Sequence, residues 1–114
     1  MAVVVFSAVV RGLLESLSID RSTLALAIDV NDRTVDRWLA DEGYPQKEAR
    51  KRLEALEDLK DNLYRTFKSE EGVHLWMYTD SRYLGGLTPI DALRAGRIDR
   101  VTAALIALDY GAFV

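Results

Sequence analysis

The sequence contains no cysteine and only one histidine, His74. Without thiols the chain cannot form a disulfide or a thiolate metal site, and a single imidazole argues against a zinc or haem site. The lack of cysteine also fits a reducing compartment. We therefore expect a cytoplasmic protein that holds no metal and no cofactor.

The sequence also lacks a surplus of basic residues. Its net charge is -3 and its pI is about 5.1, whereas nucleic-acid-binding domains usually carry a basic face. Residues 1–52 have eight Lys/Arg and eight Asp/Glu, and residues 53–114 have seven and ten. The acidic excess lies in the second half, so DNA binding by the neutral first half would be modest or would need a dimer.

Long hydrophobic runs and catalytic motifs are missing as well. The apolar start, MAVVVFSAVV, has no basic region before it and is ended by Arg11, so we expect neither a signal peptide nor a membrane segment. Its β-branched part, residues 3–6, is either the start of a core helix or a strand-like arm. No nucleophile–base–acid set, phosphate loop or metal cluster is present, so we expect no enzyme.

What the sequence does contain is apolar residues at helical spacing. Hydrophobic residues make up 49% of the chain and charged residues 29%, which is typical of a folded domain. Thr88, Pro89 and Asp91 form a capping-box helix start, and Gly96 marks that helix's end. The pattern predicts an all-α fold with helices over about 7–17, 21–28, 33–41, 46–67, 69–78, 89–95 and 98–110.

The second and third predicted helices match the helix-turn-helix pattern, with a four-residue turn over residues 29–32. Ala25 provides the small residue where the helices cross, and Asp29 stands where glycine is usual in the turn. The segment from Leu24 to Leu39 resembles Xre/Cro-type phage-repressor domains, and the resemblance extends over about residues 8–60. It predicts an N-terminal helix-turn-helix bundle.

The resemblance implies that the start of the third helix enters the DNA major groove. The residues expected to face DNA are Asn31, Arg33, Thr34 and Arg37. Several acids lie nearby and would repel phosphate: Asp32, Asp36, Asp41 and Glu42. In the alternative interpretation this helix only packs, and the two arginines pair with those acids.

Motifs near the carboxyl end carry a second resemblance. Trp76-Met77-Tyr78, Leu84-Gly85-Gly86, the Thr88–Leu93 segment and Tyr110-Gly111-Ala112-Phe113 occur in the order and spacing of the Xre/MbcA/ParS-like antitoxin family. The match covers about residues 70–114, so the two resemblances together span nearly the whole chain. They divide it into a helix-turn-helix DNA-binding domain with a long connecting helix, residues 1–67, and a small helical toxin-binding domain, residues 68–114.

The family resemblance implies an antitoxin of a type II toxin–antitoxin system. Its partner would be a RES-domain toxin that degrades NAD, which it would neutralise by covering the active site, and the pair would bind its own promoter. The residues expected to contact the toxin are Arg82, Tyr83, Leu84, Gly111, Ala112, Phe113 and Val114.

Three alternatives remain open from the sequence. Phe113 and Val114 either plug the toxin pocket, with the terminal carboxylate meeting a basic residue, or Phe113 folds back on the chain's own core. Trp76 is either a core or an interface residue. The chain is either an antitoxin, acting as a homodimer or as a hetero-oligomer with its toxin, or a stand-alone transcriptional regulator whose second half serves dimerisation.

Overall fold

The computed structural model describes residues 6–111, and in that range the chain forms seven α-helices. The all-α prediction is confirmed, and Phe6 opens the first helix, whereas the possible arm before it lies outside the described residues. The helices are α1 Phe6–Leu17, α2 Arg21–Ile28, α3 Asp32–Leu39, α4 Lys47–Phe67, α5 Glu70–Met77, α6 Pro89–Arg94 and α7 Ile98–Asp109.

The first three helices pack together as a small bundle. α3 rests on both α1 and α2, and the Trp38 ring meets the edge of Phe6 at a centroid distance of 5.4 Å. The apolar stripes predicted from the sequence face inward, because Val10, Leu24 and Val35 are fully buried. This packing fixes the orientation of α3 relative to the rest of the molecule.

The 21-residue helix α4 joins this bundle to the carboxyl-terminal helices. It packs against α1 and α2 on one side and against α5 and α7 on the other. The buried apolar residues of all seven helices form one hydrophobic cluster. α4 ends at Phe67, where Lys68 takes a left-handed backbone with φ 60°, and the domain boundary that we predict at this point stays a prediction.

The predicted helix ends agree closely with the structure, with one difference around α3. Asp20 caps α2 by accepting a 2.8 Å hydrogen bond from the Thr23 N–H, and Thr88 and Asp91 form the expected capping box. The helix-turn-helix turn has three residues rather than four, because Asp32 is already helical. α3 ends at Leu39, two residues early, since Asp41 adopts φ 59° and cannot continue the helix.

None of the helices within residues 6–111 combines the length and the apolar character that crossing a membrane requires. α4 is the longest of them, and its exposed side chains include several charged residues.

Candidate DNA-binding and partner-binding surfaces

The turn between α2 and α3 sets where α3 begins. Asp29 adopts φ 60° and ψ 50°, as predicted, and its N–H points back to the carbonyl oxygens of Ala25 and Leu26. The Val30 N–H also bonds to the Ala25 oxygen at 3.0 Å. Aspartate thus supplies the left-handed conformation that glycine usually provides.

Two of the four residues expected to face DNA are joined to each other at the start of α3. Asn31 is the N-cap, and its Oδ1 accepts hydrogen bonds from the Thr34 N–H at 3.0 Å and the Thr34 hydroxyl at 3.2 Å. Asn31 is exposed and Thr34 is half-buried. Their side-chain oxygens therefore stabilise the helix start, and the Asn31 amide N–H groups remain on the surface.

The other two, Arg33 and Arg37, are exposed one turn apart on α3. Within residues 6–111 neither guanidinium has an ion-pair partner. Two of the four nearby acids contact α2 instead: Asp36 pairs with Arg21, and Asp32 accepts a 2.9 Å hydrogen bond from the Ser22 hydroxyl. The alternative in which the two arginines pair with these acids does not describe the structure.

A cleft of about 460 Å³ lies beside this helix, between α3 and the start of α4. Arg37, Trp38 and Tyr44 line it, and Tyr44 is 84% exposed. The sequence interpretation missed Tyr44, because helical periodicity carries no information about a side chain in a Gly-Tyr-Pro connection. The cleft places an aromatic ring beside α3.

A second surface is built around the loop of residues 81–87. The loop is closed by hydrogen bonds from the Ser81 N–H to the Leu87 oxygen at 2.9 Å and from the Gly86 N–H to the Ser81 oxygen at 2.8 Å. Gly85 and Gly86 adopt φ 70° and 92°, a conformation that few other residues accept. The two glycines are therefore turn formers, as predicted.

The structure separates the three loop residues expected to contact a partner. Arg82 is exposed and Tyr83 is half-buried, and both line a cleft of about 190 Å³ together with Trp76. Leu84 is only 6% exposed, because its side chain packs into the core. The side chain of Leu84 therefore anchors the loop to the core, and its predicted contact with a toxin stays a prediction.

Trp76 lies partly in the core and partly at the surface, and its role as an interface residue stays a hypothesis. It is half-buried, its ring lies 5.8 Å from that of Phe67, and it also forms one wall of the cleft beside Arg82. Gly111 is exposed just after α7, with φ 70°. The other predicted contacts, Ala112, Phe113 and Val114, lie outside the described residues.

Three exposed apolar side chains of the carboxyl-terminal part are not among the contacts predicted from the sequence. Leu87 is 53% exposed at the end of the loop, and Ile106 and Tyr110 are 49% and 85% exposed near the end of α7. Ile106 and Tyr110 line a groove of about 270 Å³ that α7 forms with α4. The i, i+4 spacing of Ile106 and Tyr110, next to the core stripe of α7, was the sequence signal that could have indicated a shared apolar surface.

Three carboxylates whose pKa is lowered lie at helix starts. A hydrogen bond from the Thr23 side chain lowers the pKa of Asp20, the Thr88 N–H lowers that of Asp91, and the Arg97 guanidinium lowers that of Asp99. In the described range, 6–111, no three His, Asp or Glu side chains come together in a way that could hold a metal ion.

These features define an all-helical protein with one candidate surface on α3 and a second around the loop of residues 81–87. A family model described as the antitoxin Xre/MbcA/ParS C-terminal toxin-binding domain matches residues 62–111. The mycobacterial cidal antitoxin MbcA of Mycobacterium tuberculosis and that of Mycobacterium bovis are each 31% identical over 114 residues, the full length of both chains. The chain belongs to the Xre/MbcA/ParS-like antitoxin family.

The structural comparison agrees with the sequence comparison. A chain in the crystal structure of the Mycobacterium tuberculosis MbcT–MbcA toxin–antitoxin complex superposes with a TM-score of 0.67 at 30% identity. The match covers 98% of this chain and 100% of the other. The similarity therefore extends over both the helix-turn-helix part and the carboxyl-terminal part.

Proposed function

We propose that the chain is the antitoxin of a type II toxin–antitoxin pair and neutralises a RES-type toxin that degrades NAD. It acts in the cytoplasm, without catalytic activity of its own, by covering the entrance to the toxin's active site. One observation carries the proposal: the toxin-binding family model matches residues 62–111, the same segment that bears the loop 81–87 and the exposed end of α7.

The physical character of this segment supports a protein partner. Leu87, Ile106 and Tyr110 expose apolar surface, which is most stable when a second molecule covers it. Arg82 adds a charged, bidentate donor at the edge of the loop. We propose that the toxin contacts the loop and the end of α7, with the backbone of Leu84 and Gly111 at the margin.

We further propose that residues 112–114 enter the toxin's pocket. Phe113 and Val114 come soon after the exposed Gly111, and their apolar side chains would compete with NAD for space in the toxin's pocket. The competing hypothesis is that Phe113 packs on the chain's own core. A variant that lacks residues 112–114 separates the two: loss of neutralisation with retained toxin binding supports the plug, and full neutralisation by the folded variant eliminates it.

The helix-turn-helix part supports a second role, autoregulation of the operon by DNA binding. Arg33 and Arg37 lie exposed on α3 and unpaired in the described part of the chain, so they are able to contact phosphates or guanine edges. Because the chain has a net charge of -3, we expect operator binding to need a dimer or the toxin complex.

The proposal is tested by expressing the chain with the toxin reading frame beside its gene. We expect the toxin alone to stop growth and deplete cellular NAD, and co-expression to restore both. A stand-alone regulator would instead bind its operator tightly without a partner and would leave the toxin active. Failure to restore growth despite soluble expression of both chains would contradict the antitoxin role.

A further inference from the structure

We infer that Arg21 and Ser22 are positioning residues for the DNA-contacting face of α3, because they hold its two acidic side chains against α2. The inference rests on the proposed DNA binding and adds two residues to it. Neither residue lies on the recognition helix, and neither was expected to take part from the sequence.

The contacts run between the first turn of α2 and one edge of α3. Arg21 and Ser22 are the first two residues of α2, and Asp32 and Asp36 lie one helical turn apart on α3. A guanidinium nitrogen of Arg21 pairs with Asp36 Oδ1, and the Ser22 hydroxyl donates to Asp32 Oδ2 at 2.9 Å. Each of the two acids of α3 therefore meets one donor from the first turn of α2.

This arrangement changes the charge that α3 presents. The exposed residues of the helix include two acids and two arginines, so α3 alone is neutral on this surface. When Arg21 pairs with Asp36, that carboxylate is compensated, and Arg33 and Arg37 remain as guanidinium groups without an ion-pair partner among residues 6–111. The exposed face of α3 then attracts DNA phosphates, whereas an unpaired carboxylate within a Debye length of the DNA backbone would repel them.

The pair is not needed to hold the two helices together. The side chains of Arg21 and Asp36 are 60% and 47% exposed, and exposed ion pairs contribute little to stability. Leu24, Ala25 and Val35 already fix α2 against α3 by burial. A functional effect of Arg21 should therefore appear in DNA affinity rather than in unfolding.

A competing explanation is that Arg21 contacts a DNA phosphate directly. Loss of Arg21 weakens binding in both cases, so the single variant does not separate them. Asp36→Asn does, because it removes the carboxylate that Arg21 compensates. If Arg21 acts through Asp36, then Arg21→Gln has no further effect on DNA affinity once Asp36 is asparagine. If Arg21 contacts a phosphate directly, Arg21→Gln weakens binding whether or not Asp36 is present.

The experiment measures the affinity of the full chain for a duplex from the DNA upstream of its own gene, with an unrelated duplex of equal length alongside. The variants are Arg21→Gln, Asp36→Asn and the double variant. Arg97→Gln is the matched control, since it removes one arginine from another exposed Arg–Asp pair, 2.8 Å long, in the carboxyl-terminal half. Thermal unfolding of each variant shows that it is folded.

We expect Arg21→Gln to weaken binding about tenfold, and the double variant to return to within about twofold of Asp36→Asn. The salt dependence should be the same for Asp36→Asn and the double variant, because no phosphate contact is lost between them. Arg97→Gln should bind like the parent chain. As a second variant, Ser22→Ala should weaken binding less, since it removes only a hydrogen bond to Asp32.

Two results would overturn the inference while leaving DNA binding in place. One is a double variant as weak as Arg21→Gln with a reduced salt slope, which indicates a direct phosphate contact. The other is an Arg21→Gln variant that binds like the parent. If the folded parent chain binds neither duplex, alone or with its toxin, the proposed DNA-binding function fails and the inference fails with it.

Discussion

Arg94 on α6 donates a 3.1 Å hydrogen bond from its Nε to the hydroxyl of Thr23 on α2. Thr23 is only 1% exposed and also holds the α2 cap, because Asp20 accepts a 2.8 Å bond from its N–H. The contact joins α6, in the carboxyl-terminal half of the chain, to α2 in the amino-terminal half. The Tyr78 hydroxyl, which donates to the Ser18 carbonyl, ties the same end of α2 to the end of α5.

Thr23→Val should lower the free energy of unfolding by about 1 kcal/mol, because it removes a buried hydroxyl that is hydrogen-bonded and keeps the side-chain volume. Arg94 is exposed, so water can replace the lost partner. Urea unfolding measures the change. Thr102→Val is the control, since Thr102 is half-buried in α7 and its hydroxyl makes no hydrogen bond within the described residues. Equal losses in both variants would contradict the importance of the contact.

Gly96→Ala should destabilise the chain by about 1–2 kcal/mol, because Gly96 has φ 75° and an added Cβ would lie 3.4 Å from the Leu26 oxygen. Gly12→Ala should act in the opposite direction and stabilise by about 0.5–1 kcal/mol. Gly12 lies inside α1, where a Cβ would meet nothing within 4 Å. Unfolding curves that show the same sign for both substitutions would refute this difference.

Acid should destabilise the chain through its helix-start carboxylates. The pKa of Asp20 is lowered from its ordinary value of 3.8, first by a hydrogen bond from the Thr23 side chain, and that of Asp99 is lowered by Arg97. The stabilisation is complete above pH 3.8 and is lost as the pH falls through the lower folded-state pKa, because the unfolded chain takes up protons first.

The effect is measured by urea unfolding between about pH 6 and pH 2. Asp20→Asn keeps an N-cap residue but removes the titrating group, so its stability should fall less steeply with acid. Asp58→Asn is the control, as Asp58 is exposed on α4 with no cap to form. If the free energy of unfolding falls with acid as steeply in Asp20→Asn as in the parent chain, but less steeply in Asp58→Asn, the cap carboxylate is not responsible.

Ile106→Ala should weaken toxin binding about tenfold, because the exposed end of α7 is part of the proposed interface. Leu26→Ala is a closely matched control: Ile106 and Leu26 are 49% and 50% exposed, and both lie on helices. Isothermal titration with the purified toxin gives the two affinities. Equal effects of the two substitutions on affinity would contradict an interface at the end of α7.

Much of the fold follows from local sequence signals. The stripe of Leu53, Leu56 and Leu63 and the capping box at Thr88 mark helices with little ambiguity, and both are confirmed. The end of α3 was less predictable, since the left-handed Asp41 depends on how the next connection packs. Local patterns define helices well, whereas connections respond to tertiary contacts.

The candidate surfaces were less predictable than the helices. Leu84 lies beside two glycines in a loop, yet its side chain is buried, because the loop folds back on the core. The pairing of Arg21 with Asp36 joins residues 15 apart and depends on how α2 crosses α3. Surface charge partners of this kind are set by helix packing, which a single sequence does not display.

The most direct test of the proposed function is NAD consumption by the purified partner toxin as the chain is added in increasing amounts. We predict that NAD consumption falls to background at the stoichiometry of the complex, and that the chain without residues 112–114 binds but leaves a substantial fraction of the activity. A toxin that binds the folded chain and still consumes NAD at its full rate would contradict the view that the carboxyl-terminal half closes the active site.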